Sequence, residues 1–394
     1  MCKNLVSFVQ FSYELSLKHE SEYFLSRPIY AHINSDAMRH NLERVRELVP
    51  GSKVWSVVKA NAYGHGLIPA LEGLKTTDGF ALLDLAEAKL LREMGWQGPI
   101  LLLEGLFCQE DIFLLSDLHC DCVVHHIDQV DWLEALSEGK RGSSSYLPKI
   151  YLKMNTGMNR LGFKPNEYRE VYHRLHSSGY VISHMTHFAN ADYIDRRPSV
   201  DEQSELFHQA IEGFAGERSL ANSAAVLWHH HMIFSDWVRP GIMLYGASPS
   251  GKYEDIQHAN LQAVMALNSK IIGIQHLDAH ESVGYGSRYR TDVPIRIGIV
   301  ACGYADGYPR HAPDGTPVWV AGPTGLKDGK VCRMAGQVSM DMITVDITDM
   351  PHVDVGTDVQ LWGNFLPVDE VAQSAGTIGY ELLCALAPRV PRTS

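Results

Sequence analysis

Two patterns of apolar and polar residues alternate along the first two thirds of the chain. Between about residues 50 and 245, short runs rich in β-branched and aromatic residues are separated by longer stretches with apolar residues at helical spacing. Short apolar runs bounded by turn residues are typical of buried strands, and the stretches between them are typical of helices packed on a sheet. The pattern predicts eight strands: Val54–Val58, Phe80–Asp84, Ile100–Leu103, Cys122–His125, Lys149–Met154, Val181–His184, Leu220–Ser223 and a short one at Trp237–Val238.

Two of the predicted helices have clear ends. Leu85–Met94 carries Glu87 in its first turn and stops before Gly95, and Pro165–Leu175 begins with a proline, which a first helical turn tolerates. Eight strand–helix repeats in succession predict a (β/α)8 barrel, which we place at residues 27–265. In such a barrel the chemistry lies at the carboxyl ends of the strands.

A different pattern begins near Leu267. Runs of β-type residues are separated by Gly, Pro and Asp turns with little helical periodicity, namely Lys270–Ile274, Ile295–Val300, Val318–Val320, Ile343–Ile347 and Val359–Trp362. We therefore predict a β-rich second domain over residues 266–394, closed by a helix at Tyr380–Leu386. A lone strand at Ile29–Ile33 precedes the first barrel helix, and we expect it to pair with this second domain.

Composition and charge exclude several classes of protein. The chain has 34 basic and 46 acidic residues, a net charge of -12, and no block of like charges, so nucleic acid is not a predicted partner. No apolar stretch approaches the roughly 18 to 20 residues of a membrane span. Residues 1–26 contain a broken apolar run without an A-x-A cleavage site, so we interpret them as an N-terminal extension, expected to be disordered, or as an upstream start, not as a signal peptide.

Cysteine and histidine spacing gives no sign of a disulfide framework or a metal site. The seven cysteines form no repeated C-x-x-C pair, which fits a reducing cytoplasm. His184 and His187 have i, i+3 spacing and His229–His231 is a triplet, but no carboxylate or cysteine set completes a ligand sphere. No metal is predicted.

Lys59 is the residue with the clearest chemical potential. It follows the first predicted barrel strand and precedes the polar loop Ala60–Gly66. An amine at the end of a buried strand loses hydration, which lowers its pKa and leaves a neutral nucleophile able to form a Schiff base with a carbonyl such as that of pyridoxal phosphate. A lysine that merely reaches out to solvent is the alternative interpretation.

A phosphate site is expected in the loops after the last two barrel strands. Ser223 ends the seventh predicted strand and offers a hydroxyl, while Gly241 follows the eighth and allows backbone N–H groups to approach an anion. Small-residue turns end many strands, so this observation by itself is weak.

Seven motifs together resemble alanine racemase, in that family's order and from about Arg27 to the C-terminus. They are S-V-V-K-A-N-A-Y-G-H-G at 56–66, K-M-N-T-G-M-N-R-L-G at 153–162, H-F-A-N at 187–190, R-P-G-I-M-L-Y-G at 239–246, G-Y-G at 284–286, G-Y-A-D-G-Y-P-R at 303–310 and Q-V-S-M-D-M at 337–342. The resemblance implies a pyridoxal 5'-phosphate enzyme that interconverts L- and D-alanine, either for peptidoglycan or in alanine catabolism.

The resemblance also assigns the cofactor site. Lys59 matches the Schiff-base lysine, and the residues that match the phosphate contacts are Tyr63, Ser223, Gly241, Ile242 and Tyr380. Arg239 matches the arginine that faces the pyridine nitrogen. Because a guanidinium only donates hydrogen bonds, that nitrogen must stay unprotonated, which weakens the ring as an electron sink and should suppress transamination.

Racemisation needs a proton-handling group on each face of the α carbon. In the resemblance these groups are Lys59 and Tyr285. At pH 7 only on the order of one free tyrosine in a thousand is a phenolate, so nearby cations are needed, and in the family His187 links this tyrosine to Arg239. Without the resemblance we would interpret His187 as a core histidine and the G-Y-G segment as a turn.

Substrate contacts complete the set of implied site residues. Arg160 matches the arginine near the substrate carboxylate, and Lys153 matches a lysine that is carbamylated in many family members and then orients Arg160. Met340 and Asp341 match a segment whose main chain touches the carboxylate, and Tyr304 lines the access route. In the family, Tyr285, Tyr304, Met340 and Asp341 reach the barrel of the other subunit, which implies a homodimer with composite sites.

Three alternatives remain at this stage. A racemase of the same fold could prefer serine or accept several amino acids, although Lys153 favours alanine. A decarboxylase of the same superfamily would present an acidic residue where this chain has Arg239. A non-catalytic pyridoxal-phosphate-binding protein of the single-barrel type would lack the second domain.

Overall fold

The computed structural model describes residues 26–140 and 146–394. The extension predicted for residues 1–26 lies outside the described residues except for Ser26. In the first half of the chain, eight parallel strands form a closed barrel in sequence order, and the last strand pairs with the first through Lys53–Trp237 and Val54–Val238. These strands are β2 (Lys53–Val57), β3 (Gly79–Leu82), β4 (Ile100–Leu102), β5 (Asp121–Val124), β6 (Ile150–Lys153), β7 (Ile182–Met185), β8 (Arg218–Asn222) and β9 (Trp237–Arg239).

Helices surround the barrel and connect its strands. They span Ser35–Leu48, Leu67–Gly73, Leu85–Glu93, Asp111–Asp117, Ile127–Lys140, Pro165–Ser177, Val200–Ala210 and Ser223–Trp228. Several begin where the sequence provides a cap: the Asp84 side chain accepts a hydrogen bond from the Ala86 N–H, and Ser199 and Glu202 form a capping box. The predicted (β/α)8 barrel is confirmed, and each strand lies within about two residues of its expected position.

Large aromatic side chains fill the barrel interior. Trp55 on β2 stacks on Trp237 of β9 with ring centroids 4.3 Å apart, and its edge meets Tyr151 of β6 at 5.9 Å. Offset and edge-on ring contacts of this kind add to the free energy gained by burial. The packed interior leaves the carboxyl ends of the strands as the open end of the barrel.

The second half of the chain is mainly β, as predicted. Its eight-stranded sheet has the order β13-β16-β15-β14-β17-β10-β1-β18. The strands are β1 (Tyr30–Ile33), β10 (Met265–Leu277), β13 (Ile295–Val300), β14 (Pro317–Gly322), β15 (Gly325–Met334), β16 (Ile343–Asp346), β17 (Asp358–Trp362) and β18 (Arg392–Thr393), and a hairpin is formed by β11 (Ser282–Val283) and β12 (Tyr289–Arg290). Two helices, Val368–Ser374 and Gly379–Cys384, follow β17.

Strand β1 connects the two ends of the described chain. It pairs antiparallel with β10, where Tyr30 lies opposite Asn268 and Ile33 opposite Met265, and parallel with β18, where Ala31 lies opposite Arg392. Residues near Arg27 and residues near Arg389 therefore lie close together at one side of the sheet.

Among the elements of the second half that were absent from the predicted pattern are strand β15 and the helix Val368–Ser374. Strand β15 carries Lys, Asp and Arg among its residues and is mostly exposed, because it pairs with its neighbours through its backbone while its side chains face solvent. The helix Val368–Ser374 has only seven residues, too few to give a clear helical period. Among the described residues, no helix combines the length and the hydropathy needed to cross a membrane.

Candidate active site

A left-handed turn presents Lys59 at the open end of the barrel. After β2 the backbone passes through four consecutive residues with positive φ, Ala60 to Tyr63, and then Gly64. Each non-glycine residue in this conformation costs roughly 1–2 kcal/mol, so the turn must be held by its surroundings. Asn61 supplies part of that support: its N–H donates to Glu87 at 2.7 Å, and its side chain accepts from the Leu67 N–H at 3.1 Å.

Ten of the predicted site residues line one cavity of about 330 Å³ at the carboxyl ends of the barrel strands. They are Lys59, Tyr63, Lys153, Arg160, His187, Ser223, Arg239, Gly241, Ile242 and Tyr380. Nine of them come from the barrel, and Tyr380 comes from the helix Gly379–Cys384 of the second half. The cavity thus lies where a barrel of this kind holds its chemistry.

The Lys59 amine meets the physical requirement for a nucleophile. Burial is the main cause that lowers its pKa, the charge of Arg160 adds to this effect, and Glu104 opposes it. Its Nζ makes no hydrogen bond to a described residue, so it is free to react inside the cavity.

Arg239 is fixed by acceptors on neighbouring strands. Its guanidinium donates to Ser219 Oγ at 2.7 Å, to the Thr186 carbonyl at 2.7 Å and to the Leu220 carbonyl at 3.2 Å. Burial lowers the pKa of Arg239 to about 10, which leaves the group charged at neutral pH. Its Nε–H has no partner within the described part of the chain and can donate to a ligand in the cavity.

His187 lies next to this guanidinium. The Arg239 Nη2 donates to His187 Nδ1 at 3.3 Å, which requires Nδ1 to be the unprotonated ring nitrogen. Burial, followed by the charges of Arg239 and Lys153, holds the pKa of His187 well below its usual value. The ring is therefore neutral, with its proton on Nε2.

A group of uncharged hydrogen-bond donors also lines the cavity. Ser223 Oγ accepts from the Gly241 N–H at 2.8 Å and keeps its own proton to donate. The hydroxyls of Tyr63 and Tyr380 form no hydrogen bond with any residue in 26–140 or 146–394, and burial raises the pKa of both phenols, so both remain protonated donors. Such a set of hydroxyl donors suits a phosphate group.

Lys153 and Arg160 add positive charge to the cavity. Burial, and then the charges of Arg239 and Arg160, lower the pKa of Lys153 to about 8. Arg160 lies in a loop organised by Asn155, whose side chain accepts from the N–H groups of Gly157 and Asn159 at 3.0 Å each. Its guanidinium has no hydrogen-bond partner among the described residues and can receive a carboxylate.

The four remaining predicted site residues lie away from this cavity, on the β domain. Tyr285 is 71% exposed and Met340 is 53% exposed, and Tyr304 and Asp341 are also accessible to solvent. Within one chain they do not line the cavity, so a single subunit does not bring all of the predicted site residues together.

Sequence reasoning missed the acidic lining of the cavity, which includes Glu104 and Asp192. Glu104 directly follows the predicted strand Ile100–Leu103, and a carboxylate at the carboxyl end of a barrel strand was a signal that could have identified it. Asn222, adjacent to Ser223, was also missed; its side chain caps the next helix by accepting from the Ala225 N–H. No cluster of His, Cys, Asp or Glu suited to a metal occurs in the described ranges.

Comparison with known proteins matches nearly the whole chain. A family model described as "Alanine racemase, N-terminal domain" matches residues 33–249, and one described as "Alanine racemase, C-terminal domain" matches residues 264–394. A protein of Erwinia tasmaniensis named alanine racemase is 52% identical over 372 residues, which cover 93% of this chain and 99% of that relative.

Solved structures agree in fold. The biosynthetic alanine racemase from Pseudomonas aeruginosa has a TM-score of 0.85 and 41% identity, covering 93% of this chain and 99% of the other. Alanine racemase from Bartonella henselae, solved with covalently bound pyridoxal phosphate, has a TM-score of 0.81 and 25% identity with the same coverage of both chains.

Proposed function

The chain belongs to the alanine racemase family, and from this membership we propose that it interconverts L-alanine and D-alanine, using pyridoxal 5'-phosphate and two proton-handling residues. The observation that carries the proposal is the convergence of ten predicted residues on one cavity, where an amine, a guanidinium and a set of hydroxyl donors face the same space. This arrangement offers a partner to the aldehyde, the ring nitrogen and the phosphate of the cofactor and to the substrate carboxylate.

The residues in the cavity fit pyridoxal phosphate. Tyr63, Tyr380 and Ser223 are uncharged donors for the phosphate, together with the main chain at Gly241 and Ile242. Arg239 offers its free Nε–H to the ring nitrogen, and Lys59 is the point of covalent attachment. When bound, the cofactor would supply an electron sink that makes the α proton of the substrate acidic.

Lys59 is the proposed proton carrier on one face of the α carbon. A lysine with a lowered pKa can accept a proton near neutral pH and return it. Its position at the end of β2, on a constrained left-handed turn, limits the directions that the amine can take. A fixed amine is what a stereospecific proton transfer requires.

Tyr285 of the partner subunit is the proposed carrier on the opposite face. In each chain this tyrosine is exposed and lies between Gly284 and Gly286, both with positive φ, so it projects from the β domain without a buried contact of its own. His187 has its Nε2–H available and is bonded to the charged Arg239, so it can connect an incoming phenol to positive charge. A homodimer with two composite sites follows from this assignment.

Arg160 is the proposed contact for the substrate carboxylate, with the main chain at Met340 and Asp341 and the ring of Tyr304 supplied by the partner. Lys153 lies near the same guanidinium. With a pKa of about 8 it is partly neutral under mildly basic conditions, which is the state that reacts with carbon dioxide. Carbamylation would replace a repulsive cation with an anion able to orient Arg160.

The proposed role is to provide D-alanine for peptidoglycan in the cytoplasm. The Pseudomonas aeruginosa relative, titled biosynthetic, supports this role over alanine catabolism. The purified protein, loaded with pyridoxal phosphate, should be assayed against a panel of L-amino acids with detection of each D-enantiomer. Alanine should be the preferred substrate; a preference for serine would favour the broader-specificity racemase, and no D-product from any amino acid would contradict the proposal.

A further inference from the structure

A buried carboxylate on the β domain connects the two ends of the described chain. Asp306 has no exposed surface, yet it accepts two hydrogen bonds from the Arg27 guanidinium, at 2.5 and 2.8 Å, and one from Arg389 Nε at 2.8 Å. The Gly303 N–H donates to the same carboxylate at 2.8 Å. Burial alone would raise the pKa of Asp306, but the bonds from Arg27, Gly303 and Arg389 prevail and lower it, so the group is an anion.

Both arginines also hold Asp341. Arg27 Nη2 donates to the Asp341 carbonyl at 2.7 Å, and Arg389 Nη2 donates to the Asp341 carboxylate at 2.6 Å. Hydrogen bonds thus join Arg27, Asp306, Arg389 and Asp341 in a closed ring, in which the link from Arg27 to Asp341 is made to the main-chain carbonyl. We call this set of residues the Asp306 ring. Arg27 and Arg389 therefore hold both the main-chain carbonyl and the side chain of Asp341 in place.

Backbone contacts join the two loops that the ring connects. The Tyr304 N–H donates to the Ser339 carbonyl, and the Ala305 N–H donates to the Met340 carbonyl, each at 3.0 Å. At Gly303, an added β carbon would overlap the carbonyls of Ser339 and Met340, so only glycine permits this approach. The segments 303–306 and 339–341 are therefore bonded and packed directly against each other.

We propose that Asp306 is a positioning residue for the composite active site: clamped by Arg27 and Arg389, it fixes the orientation of Tyr304 and of the main chain at Met340 and Asp341. This inference rests on the proposed function, in which these residues contact substrate in the partner's cavity. Asp306 itself touches no substrate, because it is buried behind the loops.

The orientation of the two loops depends on the Asp306 ring. The two loops lie outside the strands of the sheet, and Met340 on one of them is more than half exposed, so packing alone does not fix them. Guanidinium–carboxylate bonds are directional as well as strong, and two of them on one carboxylate restrict both loops at once. Displacement of a positioning group by about 1 Å can cost on the order of a hundredfold in rate.

The test uses the holoenzyme and three variants, Asp306→Asn, Arg27→Gln and Arg389→Gln. We expect KM for alanine to rise roughly ten- to a hundredfold, with a smaller fall in kcat, as expected when substrate-positioning groups are displaced. Inhibition by propionate, a carboxylate without an amine, should weaken by a similar factor. Cofactor content and molecular mass in solution should match the wild type, which separates a positioning role from a general loss of folding.

Lys270→Gln is the matched control, because Lys270 forms an exposed ion pair with Asp358 on the same sheet and contacts neither loop. It should retain the wild-type kcat and KM. Arg389→Lys should show a smaller rise in KM than Arg389→Gln, since lysine restores the positive charge but not the planar set of donors of a guanidinium.

Wild-type KM and propionate inhibition in all three ring variants would overturn the inference while leaving racemisation itself intact. Asp306→Asn removes a buried charge and could fail to fold. In that case the two arginine variants, which change partly exposed side chains, decide whether the ring positions the loops. A wild-type enzyme that does not racemise alanine would instead overturn the proposed function and, with it, this inference.

Discussion

The hydroxyl of Tyr63 lies so close to Gly241 that a β carbon added at residue 241 would overlap it. The distance between this β carbon and the hydroxyl oxygen would be below 3.0 Å, which β carbons in proteins essentially never show. Tyr63 comes from the left-handed turn after β2, and Gly241 follows β9. The contact therefore joins the loops of the first and last barrel strands, which are neighbours only because the barrel closes. It also places a protonated phenol beside the backbone proposed to hold the phosphate.

Gly241→Ala should therefore displace Tyr63 and weaken cofactor binding. We expect the Kd for pyridoxal phosphate to rise by roughly tenfold or more, equivalent to the loss of about one good hydrogen bond. Titration of the apoenzyme with pyridoxal phosphate measures this. Gly273→Ala is a suitable control, since a β carbon there would meet its neighbours at ordinary distances of 3.5 Å or more. Equal affinity of both variants for pyridoxal phosphate would argue against the proposed phosphate site at Tyr63 and Gly241.

Lys59→Ala should abolish covalent attachment of the cofactor and lower racemisation by about 10²- to 10⁴-fold or more, as expected for loss of a general acid–base group. Borohydride reduction followed by peptide mass analysis should find the cofactor on residue 59 of the wild type and nowhere in the variant. Lys53→Ala, at the other end of β2, changes only an exposed lysine paired with Glu217 and should behave as wild type. An adduct retained on another lysine in the variant would disprove the assignment.

Tyr285→Phe should affect the two alanine enantiomers unequally. Removal of one of two bases blocks proton abstraction from one face, so exchange of the α proton with solvent deuterium should fall about 10²- to 10⁴-fold for one enantiomer and far less for the other. Proton NMR in deuterium oxide follows both reactions. Tyr289→Phe, in the adjacent hairpin, provides the comparison. A uniform loss for both enantiomers would speak against two bases.

Lys153 should make activity depend on carbon dioxide. The amine adds to carbon dioxide to form a carbamate and releases one proton, and this requires the neutral lysine that a pKa of about 8 provides. Enzyme prepared without carbon dioxide should lose activity and regain it on addition of bicarbonate, with a carbamate signal from ¹³C-bicarbonate in NMR. Lys153→Gln should show neither response. Full activity of carbamate-free wild type would exclude this role.

The buried carboxyl group of Asp369 should make the stability of the folded protein depend on pH. Burial raises its pKa to about 7 from an ordinary value of 3.8; one oxygen accepts from the Ser248 N–H at 2.9 Å, while the other has no partner among the described residues. A folded pKa above the unfolded one means that the contribution to stability is complete below about pH 4 and is lost as the pH rises through about 7. Each unit of difference corresponds to about 1.4 kcal/mol.

The variant that tests this is Asp369→Asn, which keeps the shape and removes the charge. Relative to the variant, the wild type should lose free energy of unfolding between about pH 4 and 7 and change little above that range. Denaturant unfolding across this range measures the difference. In Asp358→Asn, where the carboxylate is exposed and paired with Lys270, the difference from wild type should not follow this profile. A pH-independent difference for Asp369→Asn would show that folding does not raise the pKa of this carboxyl.

Much of the fold could be predicted because its strands have unambiguous local patterns. The barrel strands are short apolar runs buried on both faces, so their composition identifies them without knowledge of their partners. Strand β15 could not be found in this way, since its charged residues face solvent and its pairing with β14 and β16 depends on backbone bonds alone. The length of β10, from Met265 to Leu277, likewise depends on partners that are distant in sequence.

The sequence by itself determined the types of chemical group at the site and their order: Lys59 after the first barrel strand, Ser223 and Gly241 after the last two, and Arg239 between them. Only the tertiary structure decided their electrostatic state and their neighbours. The neutral His187, the lowered pKa of Lys153 and the Asp306 ring arise from burial and from charges on other segments of the chain, which for Arg27 and Asp306 are 279 residues apart in sequence. Hydration and Coulomb energy depend on distance in space, and a linear sequence does not contain that distance.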